Sequence, residues 1–516
     1  MKDLQYYKHR YDKAKGVSLL WMNLLRMTYK NFIPDRDLFY YPNQVQGLQK
    51  NANIFDTTPI KACRTFVSKV HMALTPPKQA WAELEAGSEV DEKDVTAVNE
   101  QLTEYTKKLF DFIRASNFDL VIHECYRDLA VGTCALQIVE GDAETPLIFR
   151  SVPINQLYIE DSICGLVDSC YREFGETRVA DILSEFPNAQ LPSEILKHFS
   201  TDPNASVKNL YQAMVYVVED KAYPYHYVLW IDGHIIESKR LESSEWVIAR
   251  WSKINNQCFG IGVAIEALPA AISLQEISRI ELESANFNLS KPYMGISDGI
   301  FNPWTYKIKA NQIIPIARSM DGQPPLIPLP DTANPAFMQL TSEVLRNQIN
   351  DMMYAQPLGS VEGPARTATD SAIRQRNLLE EIGPVMTRLE NELLAPIIDR
   401  VMYILAARGD LKRLVIDGKE IQVRFKSPLV TAQGQESVRK VLDGIQVLQA
   451  IYGPESSQMF LNPGELPIWV WEQFGNDPKL MPKKEELIAM LKSQSEQQQE
   501  MQMAQQEQMG AQIAPQ

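Results

Sequence analysis

The sequence predicts an α+β chain, mainly α, built from about three domains. Three observations carry that expectation. The chain has 516 residues, and a domain takes roughly 150. Its 45% hydrophobic and 22% charged residues are ordinary globular proportions, enough to bury a core. Short β-prone runs gather between about 146 and 252, while apolar residues at helical spacing fill the chain on either side. That segregation argues for α+β rather than for alternating βαβ units.

Taken in order, residues 1–30 are basic and aromatic, and Leu20, Trp21, Leu24, Leu25 and Met27 give a helical stripe. Asp56-Thr57-Thr58-Pro59 opens a second helix, with proline in its first turn, and Ala62, Phe66, Val70 and Ala73 form its apolar face. Leu74-Thr75-Pro76-Pro77 ends it, because proline cannot continue a helix. Two more helices are expected over 92–130, then a strand from Val131 to Glu140. Leu147–Val152, Gln212–Val218, Tyr225–Ile231 and Trp246–Arg250 read as strands, with a hairpin turn at Asp232-Gly233 and an acidic helical insert over 174–200. A helix follows from about Gly262 to Leu289. Residues 291–334 carry prolines 292, 303, 315, 324, 325, 328 and 330, too many for a helix, so they read as a mostly extended subdomain. Pro335 to Met353 is helical, and Gln356 to Ala365 is a glycine- and proline-rich loop. The longest helical pattern runs from Thr367 to Arg408, closed by Gly409, with bends expected before Pro384 and Pro396. A hairpin is expected over 411–426 around Asp417-Gly418, then helices at 432–451 and 483–492. Residues 493–516 hold ten Gln and no aromatic residue, the pattern of a tail with nothing to bury. Deleting that tail should leave oligomer formation intact, which native mass spectrometry would check.

Charge narrows the function. Lys and Arg total 51 against 65 Asp and Glu, a net −14. A protein that coats DNA would carry a basic excess, so that class is disfavoured, although weak contact with DNA is compatible. Six cysteines without a C-x-x-C suit a reducing compartment better than a disulfide-built module. The opening residues lack the apolar core of a signal peptide, and no apolar run reaches the roughly 18 residues of a membrane span.

The search for chemistry finds no catalytic, metal or cofactor site. Gly295-Ile296-Ser297-Asp298-Gly299 fits G-x-S-x-G, but Phe301-Asn302-Pro303 is no helix start, and the last histidine, His234, precedes the serine. Phe259-Gly260-Ile261-Gly262 lacks the third glycine of a dinucleotide loop and reads as a turn leading into a helix. His123 and Cys125 alternate around Glu124 and would share a face, yet two ligands do not make a metal site, and core packing is the plainer reading. A hydrolase around Ser297 and an oligomeric adaptor or scaffold without a DNA channel remain the alternatives to the reading that follows.

Several segments, in order along nearly the whole chain, resemble the portal, or head-to-tail connecting, proteins of short-tailed bacteriophages. They are Phe55-Asp56-Thr57-Thr58-Pro59 through Leu74-Thr75-Pro76-Pro77 to Trp81, and Asp128-Leu129-Ala130-Val131-Gly132-Thr133-Cys134-Ala135. Val152-Pro153-Ile154-Asn155-Gln156-Leu157-Tyr158-Ile159 follows, then Gly165-Leu166-Val167-Asp168, and Phe259-Gly260-Ile261-Gly262 with Ala267-Leu268-Pro269. Arg366-Thr367-Ala368-Thr369-Asp370, Gly383-Pro384-Val385, Leu393-Leu394-Ala395-Pro396-Ile397 and Phe425-Lys426-Ser427-Pro428-Leu429 complete the series, with the Gln-rich tail. Phe259-Gly260-Ile261-Gly262 departs from the more polar G-R-G-P-like string usual in the family.

The resemblance implies the phage portal fold, assembled as a ring of about twelve copies at one capsid vertex, with double-stranded DNA entering and leaving along its axis. In that plan residues 1–262 form the wing, 263–290 and 335–355 the paired stem helices, and 291–334 the clip. Residues 356–366 form a tunnel loop, 367–428 a helix and hairpin returning through the wing, 429–492 the crown, and 493–516 a flexible tail. The implied partners are further copies of the chain, DNA in transit, the terminase large subunit, a tail adaptor protein, and capsid, scaffolding and internal core proteins. No membrane is involved, and the place is the virion, after assembly in the host cytoplasm. Within the tunnel loop Gln356, Gly359, Ser360, Glu362, Gly363 and Arg366 would face the channel, and Lys291 is a further candidate for phosphate contact. The acidic charge suits such a channel. Twelve copies would carry roughly −170, and a wall that repels phosphate lets DNA slide.

Overall fold

The computed structural model describes residues 2–36, 53–87, 90, 95–162, 165–289, 293–295, 326–328, 335–356, 383–412, 414, 421–425, 428–452 and 466–473. Statements of absence below concern these residues.

The chain opens on α1 (Leu4–Phe32), then α2 (Thr58–Leu74), β1 (Ala82–Ala86), α3 (Val95–Ala115) and α4 (Phe118–Val131). The sheet region holds β2 (Thr133–Glu140), β3 (Leu147–Ser151), β4 (Leu157–Asp161), β5 (Val167–Glu173) and the two-residue β6 (Thr177–Arg178). After α5 (Val179–Glu185) and α6 (Ser193–Thr201) come β7 (Ser206–Val207), β8 (Leu210–Tyr216), β9 (Tyr225–Ile231), β10 (His234–Leu241), β11 (Trp246–Arg250), β12 (Ser252–Lys253) and β13 (Gly260–Ile261). The mixed helix-and-sheet architecture read from the sequence is therefore the observed one.

A five-stranded antiparallel sheet, β10-β9-β8-β5-β4, is the centre of this region. Both its faces are covered. Tyr158, Tyr171, Ala213, Val215, Val228 and Trp230 pack with α1, while Leu157, Ile159, Cys170, Met214, Tyr227 and Leu229 join the main core. Successive residues of a strand point to opposite faces, so a sheet buried on both sides loses its polar alternation. That is why β4 and β5 escaped the strand reading above. The β9–β10 hairpin turns where expected, with Asp232 at φ 42° and Gly233 at φ 95°, the positive pair that a tight two-residue turn needs.

The first helix corrects part of the sequence reading of its face: Leu25 is buried and Trp21 and Leu24 pack on the core as expected, but Leu20 and Met27 do not. Leu20 is 82% exposed and Met27 41%, whereas Tyr7, Tyr11, Ala14, Ser18, Leu25, Thr28, Tyr29 and Phe32 are buried. These residues recur at helical spacing, but the stripe is written in aromatic and small residues rather than in Leu and Met. Tyr11 sits edge-on to Tyr158 (5.5 Å), Tyr211 (5.1 Å) and Trp230 (6.2 Å), which pins α1 to the sheet. His123 and Cys125 lie on α4, one of the helices expected over 92–130, and two residues apart on a helix they do not share a face. Cys125 is buried and His123 is exposed.

A second sheet, β11-β2-β3, joins the two halves of the region, and its junction with the following helices is made of glycine. Gly132 stands at φ 150°, and a Cβ there would lie 2.2 Å from the Gly260 carbonyl oxygen. A Cβ on Gly262 would lie 2.3 Å from the Ala130 oxygen. The Gly262 amide donates to Val131 (2.9 Å), the Gly260 amide to the Thr133 hydroxyl (2.8 Å), and the Trp251 amide to Gly132 (2.9 Å). Phe259-Gly260-Ile261-Gly262 is thus a strand and helix lead-in that lets two backbones touch.

The helix expected from 262 to 289 is split into α7 (Val263–Glu266) and α8 (Leu268–Leu289), with the offset just before Pro269. Short strands β14 (Tyr293–Gly295) and β15 (Leu326–Pro328) pair antiparallel inside the proline-rich stretch, and α9 (Pro335–Met352) packs on α8. The long return helix is described from residue 383, so any bend at Pro384 lies at the edge of the described residues. Residues 383–389 are α-helical, Glu390–Leu394 form a π-turn, and α10 (Ala395–Arg408) follows. The Ala395 amide donates to Glu390, five residues back. Pro396 has no N–H to continue the α ladder, and the wider turn absorbs that loss where a bend was expected. Gly409 closes α10 at φ 82°.

Of the hairpin expected over 411–426, the Asp417-Gly418 turn lies outside the described residues, and the described strand is its second arm. β16 (Ile421–Phe425) pairs antiparallel with β1, Ala82 opposite Phe425 and Ala86 opposite Ile421. Asp417-Gly418 gave a sound turn signature, but no local turn pattern can announce a partner so far back along the chain. Two helices complete the description, α11 (Pro428–Tyr452) and α12 (Leu466–Gln473), the latter missed in the sequence reading. The helix expected at 483–492 and the Gln-rich tail lie outside the described residues.

Candidate functional site

Of the residues singled out from the sequence, Gln356 is described and exposed. Gly359, Ser360, Glu362, Gly363, Arg366 and Lys291 lie outside the described residues, as does Ser297. The described structure around Gln356 is the root of the 356–366 segment, where α9 ends.

That root is held by α2. Tyr354, at φ 50°, turns the chain out of α9, and the Ala355 amide donates to Asn350 (2.7 Å). The Lys69 ammonium, one face of α2 away, donates to the Tyr354 carbonyl (2.7 Å) and the Gln356 carbonyl (3.2 Å). Burial pushes the Lys69 ammonium below its ordinary pKa. The Gln356 amide donates to Asp351, and Tyr354 stacks on Phe66 of α2 at 6.5 Å. The start of α2 is fastened to both α8 and α9. Gln275 of α8 accepts from the Phe55 and Asp56 amides (2.8 and 3.0 Å) and donates to the Asp56 carbonyl (2.6 Å). Asp56 accepts from the Thr58 amide (2.7 Å) and from Arg346 of α9 (2.8 Å). Burial alone would raise the Asp56 carboxyl, but these hydrogen bonds and the Arg346 charge bring it below its ordinary value.

Downstream, the return helix is locked to the sheets by buried ion pairs. Arg250, at the end of β11, is 0% exposed. Its guanidinium donates to Asp161 (3.0 and 3.1 Å), to Glu392 (3.0 and 3.2 Å) and to the carbonyls of Gly165 (2.8 Å) and Cys258 (3.3 Å). Glu392 lies in the π-turn and also accepts from the Arg250 amide (3.1 Å). Lys253 adds a second cation to Asp161 at 2.9 Å, so two cations meet two carboxylates. Further along α10, Arg400 approaches Glu245 (3.5 Å) and donates to the Ser243 carbonyl (3.1 Å), while Arg408 donates to Glu140 (3.5 Å) and the Gly141 carbonyl (3.1 Å). Burial raises the Glu245 carboxyl, with Arg400 opposing it. Every one of these groups is turned inward on a partner, an arrangement suited to holding position. No group of three or more His, Cys, Asp or Glu converges as a metal site, and no helix is long and apolar enough to cross a membrane, among the described residues.

A family model described as bacteriophage head to tail connecting protein matches residues 4–481. The chain belongs to that family. It is similar to the "Probable portal protein" of Bordetella phage BPP-1, at 23% identity over 96% of this chain and 92% of the relative. It is also similar to the "Portal protein" of Salmonella phage epsilon15, at 24% identity over 76% of this chain and 72% of the relative. Among solved structures, a chain of the virion of a native gene transfer agent particle matches over 84% of this chain and 95% of its own length, with 13% identity and a TM-score of 0.37. Family membership places this connecting protein in the phage virion, at the joint of head and tail.

The sequence reading missed the groups that hold this connector together. Arg250 was visible only as the last residue of a β-prone run, and its carboxylate partners lie 89 and 142 residues away. A lone arginine closing an otherwise apolar strand was the available signal. Lys69 gave none, since a lysine on a helix is ordinarily a solvated charge.

Proposed function

We propose that copies of this connecting protein pack head to tail into a ring at one capsid vertex, through whose axis double-stranded DNA is packaged and later ejected. The ring first docks the packaging motor, the terminase large subunit, and then the tail adaptor, while its inner side meets capsid, scaffolding and internal core proteins. The role is structural, without catalysis or cofactor. The observation that carries this reading is the family match across residues 4–481. In this proposal residues 1–262 are the wing, α8 and α9 the stem, 291–334 the clip, 429–492 the crown and 493–516 a dispensable tail.

Surface chemistry supports a head-to-tail ring. On α8, Ile272, Ile280 and Phe287 recur at spacings of eight and seven and are exposed. On α9, Leu340 is 62% and Val344 57% exposed, one turn apart and opposite the buried Ile349. Paired helices that leave apolar residues outward on both members are complete only when neighbours cover them, and a heterologous contact repeated with closure gives a ring. Negative-stain microscopy of the purified protein should display rings with a central hole wide enough for a duplex; hole-free particles would count against the proposal. Leu340→Glu with Val344→Glu should abolish the ring and yield folded monomers by native mass spectrometry. Both positions are exposed in the single chain, so the fold itself should change by only about 0.5 kcal/mol.

Segment 356–366 is proposed to face the axis, rooted by Lys69, with Arg366 and Lys291 as phosphate contacts. Arg366→Ala should spare assembly and alter DNA packaging or retention, scored as filled against empty heads.

A further inference from the structure

Between Asp56 and Glu83 the sequence contains no carboxylate, in a chain with 65 of them. Most of that stretch is α2. Its buried side carries Ala62, Cys63, Phe66, Val67 and Val70, and its exposed side carries Lys61, Arg64, Ser68 and Met72. Lys61 and Arg64 enter no ion pair among the described residues, unlike Arg10, Arg36, Arg127, Arg250, Arg346, Arg400 and Arg408. The hydroxyls that follow them are turned back on the helix, Thr65 donating to the Lys61 carbonyl (3.1 Å) and Ser68 to the Arg64 carbonyl (3.0 Å). The two cationic heads therefore stand exposed and outside any ion pair on a face of α2 with no carboxylate of its own, although the Arg64 charge also bears on Asp35.

Beside this face lies a groove of about 310 Å³, lined by Arg64 and Ser68 of α2, by His123 and Arg127 of α4, and by Asp35. Asp35 is spent on Arg127, with which it forms an ion pair. Glu124, the other carboxylate on this side of α4, is spent on Arg36 at 3.2 Å. Asp119 of α4 bears on His71 of α2, whose ring lies 5.6 Å from that of His123. The same helix reaches the Tyr354 and Gln356 carbonyls, at the root of segment 356–366, through Lys69.

We propose that the exposed face of α2, through Lys61 and Arg64, contacts the phosphate backbone of duplex DNA. This deepens the channel reading given above and rests on it. Lys61 to Ser68 spans roughly 10 Å along the helix axis, room for two or three successive phosphates of one strand at about 3.4 Å of rise each. An isolated pair of cations on an otherwise acidic protein gives a contact without a grip. It steadies the duplex electrostatically, and salt or thrust readily breaks it.

The test is the salt dependence of binding of a fluorescein-labelled duplex of mixed sequence to the full-length protein, read by fluorescence anisotropy. Lys61→Ala with Arg64→Ala should weaken binding and flatten the plot of log affinity against log salt by about 0.9 per lost phosphate contact, near 1.8 for both. Lys107→Ala with Lys108→Ala removes equal charge from the exposed side of α3 and should leave the slope unchanged. An unchanged slope in the α2 variant, or an equal loss in the α3 variant, would overturn the proposal. Loss of the ring in the α2 variant with the slope preserved would also overturn it, and would make this face a contact between copies. If the unaltered chain forms no ring, the channel reading fails, while the slope comparison on the single chain still decides the α2 contact.

Discussion

Arg250→Met should destabilise the protein by about 3–5 kcal/mol, the ordinary cost of removing one partner from a buried ion pair. Methionine fills much of the volume, but Asp161 and Glu392 would be left with Lys253 alone, the Cys258 carbonyl would lose the guanidinium as donor, and the Gly165 carbonyl would keep only Lys253. Chemical denaturation followed by circular dichroism measures the loss. The network view makes a second demand. Glu392→Gln added to Arg250→Met should cost less than the sum of the two single changes, by about 1–3 kcal/mol, because the double variant no longer strands a buried carboxylate. Strict additivity would mean that the arginine acts through packing alone.

Gly132→Ala should be comparably severe. Alanine is strained at φ 150°, and its Cβ would sit 2.2 Å from one backbone oxygen and 2.9 Å from the Gly262 nitrogen. The backbone conformation costs about 1–3 kcal/mol, and overpacking between two chains that cannot yield adds about 1–3 kcal/mol more. The expected result is insoluble or unassembled protein at 37 °C, recovered at lower temperature. By contrast Gly383→Ala and Gly444→Ala, where a Cβ meets nothing within 4 Å, should be silent. Soluble, ring-forming Gly132→Ala would show that the junction is softer than its contacts indicate.

The architecture was legible where it is written locally. Asp56-Thr57-Thr58-Pro59 and Leu74-Thr75-Pro76-Pro77 bracket α2 at its observed ends, Asp232-Gly233 marks its hairpin, and Gly409 closes α10. What failed was non-local. β4 and β5 lost their alternation because both sheet faces are covered, and β16 pairs with β1, a partner that no local pattern announces. The stripe of α1 was read only in its second half, at Trp21, Leu24 and Leu25, because tyrosines and small residues carry the first. For the site, resemblance supplied the segment 356–366, whereas the clamps Lys69, Arg250 and Glu392 depend on contacts that no spacing along the chain encodes.

The pairing of β1 with β16 also sets a schedule for synthesis. Ile421 leaves the ribosome roughly 335 residues after Ala86, its partner. At about 5–20 residues per second, β1 waits some 17–70 s for the strand that completes it. An unpaired apolar edge held open that long would invite other nascent chains. The strand reads Ala-Glu-Leu-Glu-Ala, and its two glutamates charge the edge through the wait. Glu85 then finds Arg424 at 3.1 Å once β16 arrives. The same acidic pair that registers the finished sheet thus serves the unfinished chain as its protection against neighbours on the polysome.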